Sequence, residues 1–404
     1  MINMENIFTM DDFDFSGKRV LLRIDINSPI VSGRVQDSQK IKVHSKTIRE
    51  LVKKKAKVIV LSHQGRPGDK DFLHLDQHAK LLSKHIRKRV YFVRDVFGKK
   101  AIQKIRSLKN GDVLLLDNVR MAKDELKKLS AKEFAKTKFI KTLSREADYF
   151  INDAFSISHR AQASVVGFPM LLQSAAGRVL ENELKMLDGI INKMKKTKRD
   201  TFVLGGKKPE EPLAIMENML RTKVLERVLT CGVVGELFLI ARGYNIGNTN
   251  MDFLKKNGFL DYLNQVKKLS KKCGKKIETP CDLAVGMKKR KEVTVDNIPD
   301  FKIMDIGVKT VKKYSKIIKN STSVSMKGPA GVYEKKGFER GTRLLLKAIA
   351  NSKRTTLIGG GHTNDILDKL RISKKKFTHV SLGGGALITY LSGQRLPGLE
   401  ALKQ

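Results

Sequence analysis

Eleven short apolar runs, most closed by a polar or glycine residue and followed by an amphipathic stretch, set the main limit on how this chain folds. The first five are "RVLLRID" (19–25), "KVIVLSH" (57–63), "RVYFV" (89–93), "DVLLLDN" (112–118) and "DYFIND" (148–153). Six more follow: "TFVLGG" (201–206), "RVLTCG" (227–232), "CDLAVG" (281–286), "TSVSMKG" (322–328), "TTLIGG" (355–360) and "THVSLGG" (378–384). Runs of this length, apolar throughout, read as strands covered on both faces, and strands alternating with helices predict α/β architecture with mostly parallel sheets. Two such series predict two doubly wound, Rossmann-like domains. Between them "GRVLENELKMLDGIINKM" (177–194) places Leu180, Leu184, Leu187, Ile191 and Met194 on one helical face, which predicts a hinge helix joining the domains. No strand is evident on its N-terminal side. The expected boundaries are 1–170, a hinge at 171–195, 196–385, and a C-terminal segment 386–404 returning to the first domain.

A chain of 404 residues exceeds one ordinary core, which agrees with two domains. The formal charge of +40 implies an anionic partner: nucleic acid, an acidic membrane surface or phosphorylated small molecules. Runs such as "KKLSKKCGKK" (267–276) carry no interleaved aromatics and read as solvated lysine surface. The three cysteines, Cys231, Cys273 and Cys281, form no C-x-x-C pair and signal neither a disulfide framework nor a zinc site. No apolar run reaches membrane-spanning length and the N-terminus carries acids instead of a signal-peptide pattern, so a cytoplasmic protein without membrane attachment is expected.

Ligands of doubly wound folds sit beyond the carboxyl ends of the strands. Here those ends divide by series. The first series ends in Asp25 and Asn27, His63 and Arg66, Arg120, then His159 and Arg160, a set suited to holding a compact anion with side chains. The second ends in glycines: Gly205 and Gly206 with Lys207 and Lys208, Gly328 and Gly331, Gly359 to Gly361, and Gly383 to Gly385. Glycine-rich strand-to-helix turns present backbone amides to polyphosphate.

In order, the chain contains "RIDINSP" (23–29), "SHQGRP" (62–67), "LDNVR" (116–120), "INDAFSISHRAQAS" (151–164), "GRVLENEL" (177–184), "LGGKK" (204–208), "KGPAGVYE" (327–334), "FERGT" (338–342), "GGGHT" (359–363), and "LGGGA" (382–386) with "LPGLEAL" (396–402). With these motifs it resembles the phosphoglycerate kinases over nearly its whole length, and His362 brings the resemblance closer to archaeal members. The resemblance implies reversible phosphoryl transfer from 1,3-bisphosphoglycerate to ADP, giving 3-phosphoglycerate and ATP, with Mg²⁺ accompanying the nucleotide. Substrate-binding roles are implied for Asp25, Asn27, Lys40, His63, Arg66, Arg120 and Arg160, and nucleotide-binding roles for Lys208, Glu334, Gly360, Gly361, His362 and Thr363. Lys208, Lys40, Gly383 and Gly384 would serve the group in transfer, with Gly385 completing the second triplet. Turnover would involve hinge closure about the 177–194 helix, and the assembly is left open between monomer and homodimer.

Four positions depart from the commonest family pattern. Lys40 stands for an arginine, Pro212 for a second nucleotide lysine, Lys327 for an asparagine and His362 for an aspartate that contacts the metal–nucleotide. Mg²⁺ prefers oxygen ligands, so no residue is assigned to the metal directly, and Asp365 is a candidate outer-shell ligand. Three rival readings fit parts of the sequence. A basic nucleic-acid-binding protein on a kinase-like fold is invited by the charge, but the chain has no tryptophan and only 6% aromatics, and specific nucleic-acid binding is not expected. A dinucleotide oxidoreductase lacks the G-x-G-x-x-G spacing. The third is a family member without activity.

Overall fold

A computed structural model describes residues 6–197, 199–222, 226–286, 289–360 and 363–403, without the side chains of Lys195, Thr363, Asn364 and Asp365. The chain divides into two compact units, Met1–Lys185 with Arg395–Gln404, and Met186–Gln394.

The first unit is built on a six-stranded parallel sheet. Its strands are β1 (Arg19–Arg23), β2 (Lys57–Leu61), β3 (Val90–Phe92), β4 (Val113–Leu115), β5 (Tyr149–Asn152) and β6 (Gln173–Ala176), in the spatial order β3-β4-β2-β1-β5-β6. In β1, β2, β4 and β5 apolar residues point to both faces, because both faces are covered. Leu21, Ile59, Leu61, Leu114 and Phe150 enter one core, while the alternating Val20, Leu22, Val58, Val60, Val113, Leu115 and Ile151 enter the other. Order reverses beside β1, which pairs with β2 on one edge and β5 on the other, so the loops after these strands fan apart there.

The second unit has its own six-stranded parallel sheet. Its strands are β7 (Asp200–Leu204), β8 (Arg227–Thr230), β9 (Ile277–Glu278), β13 (Ser323–Lys327), β14 (Thr355–Gly359) and β15 (His379–Val380), ordered β9-β8-β7-β13-β14-β15. Between β9 and β13 come β10 (Asp282–Val285), β11 (Lys291–Thr294) and β12 (Ile303–Ile306), which form a separate antiparallel sheet in the order β11-β10-β12. The "CDLAVG" run therefore does not join the parallel sheet. Periodicity within one run does not say which sheet it joins, and the two-residue β9 is too short to show as a run.

The helix Arg178–Thr197 spans the division at Lys185 and Met186, with Leu180, Leu184, Leu187, Ile191 and Met194 all buried as its apolar stripe requires. A strand does precede it. β6 is "QSAA", whose small and polar residues carry no apolar signal. Residues 386–394, expected with the C-terminal segment, stay with the second unit. There the helix Gly384–Leu391 is tied to the helix Glu210–Arg221 by Asn218 Nδ2 donating to Leu391 O at 2.6 Å. From Arg395 the chain belongs to the first unit: Gly398 N donates to Ser158 O at 2.9 Å, and Leu399 and Leu402 are buried.

Leu114 is fully buried in the first core, so Leu114→Ala is expected to cost about 2–5 kcal/mol in urea unfolding. A loss below about 1 kcal/mol would place that side chain outside a close-packed core.

Candidate active site

In the first unit the carboxyl ends of β1, β2, β4 and β5 bring together most of the side chains singled out by sequence. Asp25 is buried and ion-paired to Lys40, whose Nζ lies 2.6 Å from Oδ2. Ser156 Oγ donates to the same oxygen, and Asn27 N donates to Oδ1 at 3.0 Å. Burial would raise the Asp25 pKa, but the Lys40 ammonium and the hydrogen bonds from Lys40 and Ser156 outweigh it and hold the carboxyl well below its usual range. Asn27 turns its Oδ1 back to accept from Gly65 N at 3.0 Å, which leaves its Nδ2 as the end able to donate outward.

Around this pair stand the arginines. Arg120 is buried, donates through Nη1 to Gly65 O, and leaves its buried Nε without a partner among the described residues. Burial first, then the charges of Arg23 and Arg160, bring its pKa down to about 10, so it stays cationic at neutral pH. Arg160 is lowered by burial and by Arg66, which is itself exposed. His159 accepts from Arg160 Nε at 3.2 Å, and burial followed by Arg160 lowers it to about 4. His63 adds no positive charge to this set. Burial, joined by Arg23 and Arg120, depresses its pKa well below the ordinary value. The neutral ring accepts from Arg23 Nη2 at 3.2 Å through Nδ1, which puts its proton on Nε2 and makes it a neutral donor.

Arg23 joins this set without being among the residues named from sequence; an arginine inside the apolar run "RVLLRID" is the signal that points to it. It is fully buried; its guanidinium donates to Ser164 Oγ at 2.9 Å and to Ile24 O at 2.6 Å. Ser164 in turn donates to Glu125 Oε1 at 2.7 Å, so a buried Glu125–Ser164–Arg23 chain ends on His63 and orients it. Beneath Asp25, its N–H meets His44 Nε2 at 3.3 Å, and His44 Nδ1 lies 2.7 Å from Asp153 Oδ2. Asp153 also accepts from Val179 N at 2.7 Å, which ties the site to the start of the Arg178–Thr197 helix.

In the second unit three loops interlock beyond β7, β8 and β13. Gly205 N donates to Lys327 O at 2.9 Å, Gly206 N to Pro329 O at 2.8 Å, and Val233 N to Gly206 O at 3.1 Å. A Cβ at Gly205 would collide with Pro329 O, and Gly206 sits at φ +95°, so only glycine fits this crossing. Lys207 and Lys208 are exposed on its rim. The loop through Glu334, which is also exposed, rests on β12: Val332 N donates to Met304 O at 2.7 Å, and Arg290 Nη1 meets the buried Asp305 there at 2.6 Å. Gly360 follows β14 at φ +130°, while Gly361 and His362 lie outside the described residues, as do the side chains of Thr363 and Asp365. Gly383 was expected to aim its amide at the transferred group; that N–H donates instead to Ser381 Oγ at 3.0 Å. Gly384 and Gly385 open the helix Gly384–Leu391. Among the described residues no group of three or more His, Cys, Asp or Glu converges as a protein-held metal would require, and no helix is long and apolar enough to cross a membrane.

The model of the phosphoglycerate kinase family matches residues 10–394. A phosphoglycerate kinase of Methanothermus fervidus is 43% identical over 404 residues, covering 99% of this chain and 98% of the other. One of Sulfurisphaera tokodaii is 44% identical over 403 residues, with 98% and 96% covered. Among solved structures, phosphoglycerate kinase from Pyrococcus horikoshii OT3 superposes with a TM-score of 0.92 at 37% identity, covering 98% of each chain. That from Coxiella burnetii gives 0.81 at 29% identity over the same shares.

One buried acid has a measurable signature. Glu236, in the helix Gly232–Ala241, keeps Oε2 without a partner among the described residues, and burial raises its pKa from 4.5 to about 8. The unfolded chain therefore loses this proton first. The contribution to stability is fully present below pH 4.5 and is lost as the pH rises toward 8. Glu236→Gln escapes that loss, so its stability relative to wild type is expected to grow across this range by at least about 1 kcal/mol. Urea unfolding at both pH values checks it, and a difference independent of pH would contradict the assignment.

Proposed function

The chain belongs to the phosphoglycerate kinase family, and from that premise we propose how its residues divide the reaction. The enzyme is a phosphotransferase with a carboxyl group as acceptor; it moves a phosphoryl group reversibly between 1,3-bisphosphoglycerate and ADP, a step of glycolysis and gluconeogenesis. Nothing in the family match or the relatives points to the nucleic-acid-binding alternative.

The observation that carries the division is the cluster of mutually repelling arginines at the carboxyl end of the first sheet. Arg66, Arg120 and Arg160 bind the phosphate of 3-phosphoglycerate, for which a planar fork is the matching donor. The Nε2 proton of His63 and the Nδ2 of Asn27 donate to it, and Asp25 accepts from its hydroxyl. Lys40, held on Asp25, neutralises the reacting end. On the second unit Lys208 and the amides of Gly384 and Gly385 meet the transferred group. Glu334 takes the ribose, and Gly360, Gly361, His362 and Thr363 the nucleotide phosphates. With the amide of Gly383 engaged by Ser381, the burden falls on its two successors.

Mg²⁺ enters as part of the nucleotide. Phosphate oxygens and water would hold the ion, since among the described residues no three His, Cys, Asp or Glu side chains converge on one point. The ion supplies charge neutralisation on the phosphates. No general base is needed, because the acceptor is already a carboxylate. Catalysis then rests on positioning and on neutralising the equatorial oxygens of a dissociative transition state.

A coupled assay of ATP-dependent phosphorylation of 3-phosphoglycerate tests the reading. Lys208→Met is expected to lower kcat by roughly 10²–10³, the range for losing one preorganised donor; an unchanged kcat removes Lys208 from the transferred group. Arg66→Ala is expected to raise KM for 3-phosphoglycerate about tenfold or more, and an effect on the nucleotide KM alone would place Arg66 outside the substrate site.

A further inference from the structure

Lys327 ends β13 directly under the glycine crossing, and its side chain is only 9% exposed. Its Nζ comes up beside Gly206: a Cβ placed there would lie 3.9 Å from it. The ammonium is met by Glu211 in the first turn of the helix Glu210–Arg221, with Oε2 at 2.5 Å. The other oxygen of the same carboxylate, Oε1, faces Lys208 Nζ at 3.9 Å. One carboxylate thus spans two lysines that come from different loops. A planar anion bridging two ammonium groups does what a phosphate of a bound nucleotide would do at the same place.

The geometry points to Glu211 as an internal stand-in for a nucleotide phosphate. It neutralises Lys327 and Lys208 when no nucleotide is bound, and is displaced from Lys327 when one binds. Burial explains why a stand-in is required. A lysine this enclosed is costly without an anion, and the crossing would otherwise bring Lys207, Lys208 and Lys327 together with their charges uncompensated. The same pairing makes the nucleotide compete with an intramolecular anion, so the chain gives up ADP affinity for a site that is ordered before binding. Pro212, one residue on, brings no competing cation, which leaves Lys327 as the enclosed ammonium paired with Glu211.

This inference rests on the assignment of the nucleotide to the Gly205–Lys208 loop, and calorimetric titration with ADP and with adenosine separates the two. Glu211→Gln is expected to tighten ADP about three- to tenfold, and Lys327→Met to weaken it about tenfold or more, while adenosine, which has no phosphate, changes less than twofold in both. In the pair Lys327→Met/Glu211→Gln the tightening is expected to vanish, because the competed cation is gone. Weaker or unchanged ADP binding by Glu211→Gln, or tightening that persists without Lys327, overturns the proposal, provided Lys208→Met weakens ADP. If Lys208→Met leaves ADP binding unchanged, the loop assignment falls and this inference with it.

Discussion

Positive charge enclosed without enough acid to cancel it is the constraint around which both units are organised. In the first, Arg23, Arg120 and Arg160 stand close enough that each depresses another or is depressed in turn, and burial deepens the effect. An arginine that still holds its proton with a pKa near 10 is a charge the fold has paid to keep. Glu125 and Asp25 offset part of it: both act on Arg23, Glu125 also on Arg120 and Asp25 also on Arg160. What is left over is cationic and lies at the carboxyl ends of the strands, where a compact anion would relieve it. In the second unit Glu211 meets the same need with a single carboxylate.

Neutral and charged donors are sorted by the same physics. His63 and His159 sit among arginines and under cover, so both lose their protons and act through single N–H or lone-pair contacts. Asp25 sits under the same cover yet remains ionised, because Lys40 and Ser156 both face Oδ2. Environment, more than residue type, decides which groups of this cluster carry charge.

Much of this could be read from the sequence. Continuous apolar runs marked the buried strands, and the residues just past them, from Asp25 to Arg160, lie at the carboxyl ends of the first sheet's strands. Three things could not be read. β6 is made of small and polar residues whose burial is set by neighbours, not by their own hydrophobicity. "CDLAVG" looks like any other core run, and only the antiparallel partners Lys291–Thr294 and Ile303–Ile306 divert it to a second sheet. Contacts made across long sequence separations were also hidden. Arg23 to Ser164 spans 141 positions, and Lys327 reaches Glu211 from a different loop. A pattern within one segment carries no information about such partners.

The most direct test of the central claim is a calorimetric titration of the full chain with 3-phosphoglycerate and, separately, with glycerate. If enclosed arginine charge is what selects the ligand, 3-phosphoglycerate binds at least about tenfold tighter than glycerate, and the difference shrinks in Arg120→Met. Equal affinity for the two ligands, or a difference that Arg120→Met leaves intact, would contradict the account.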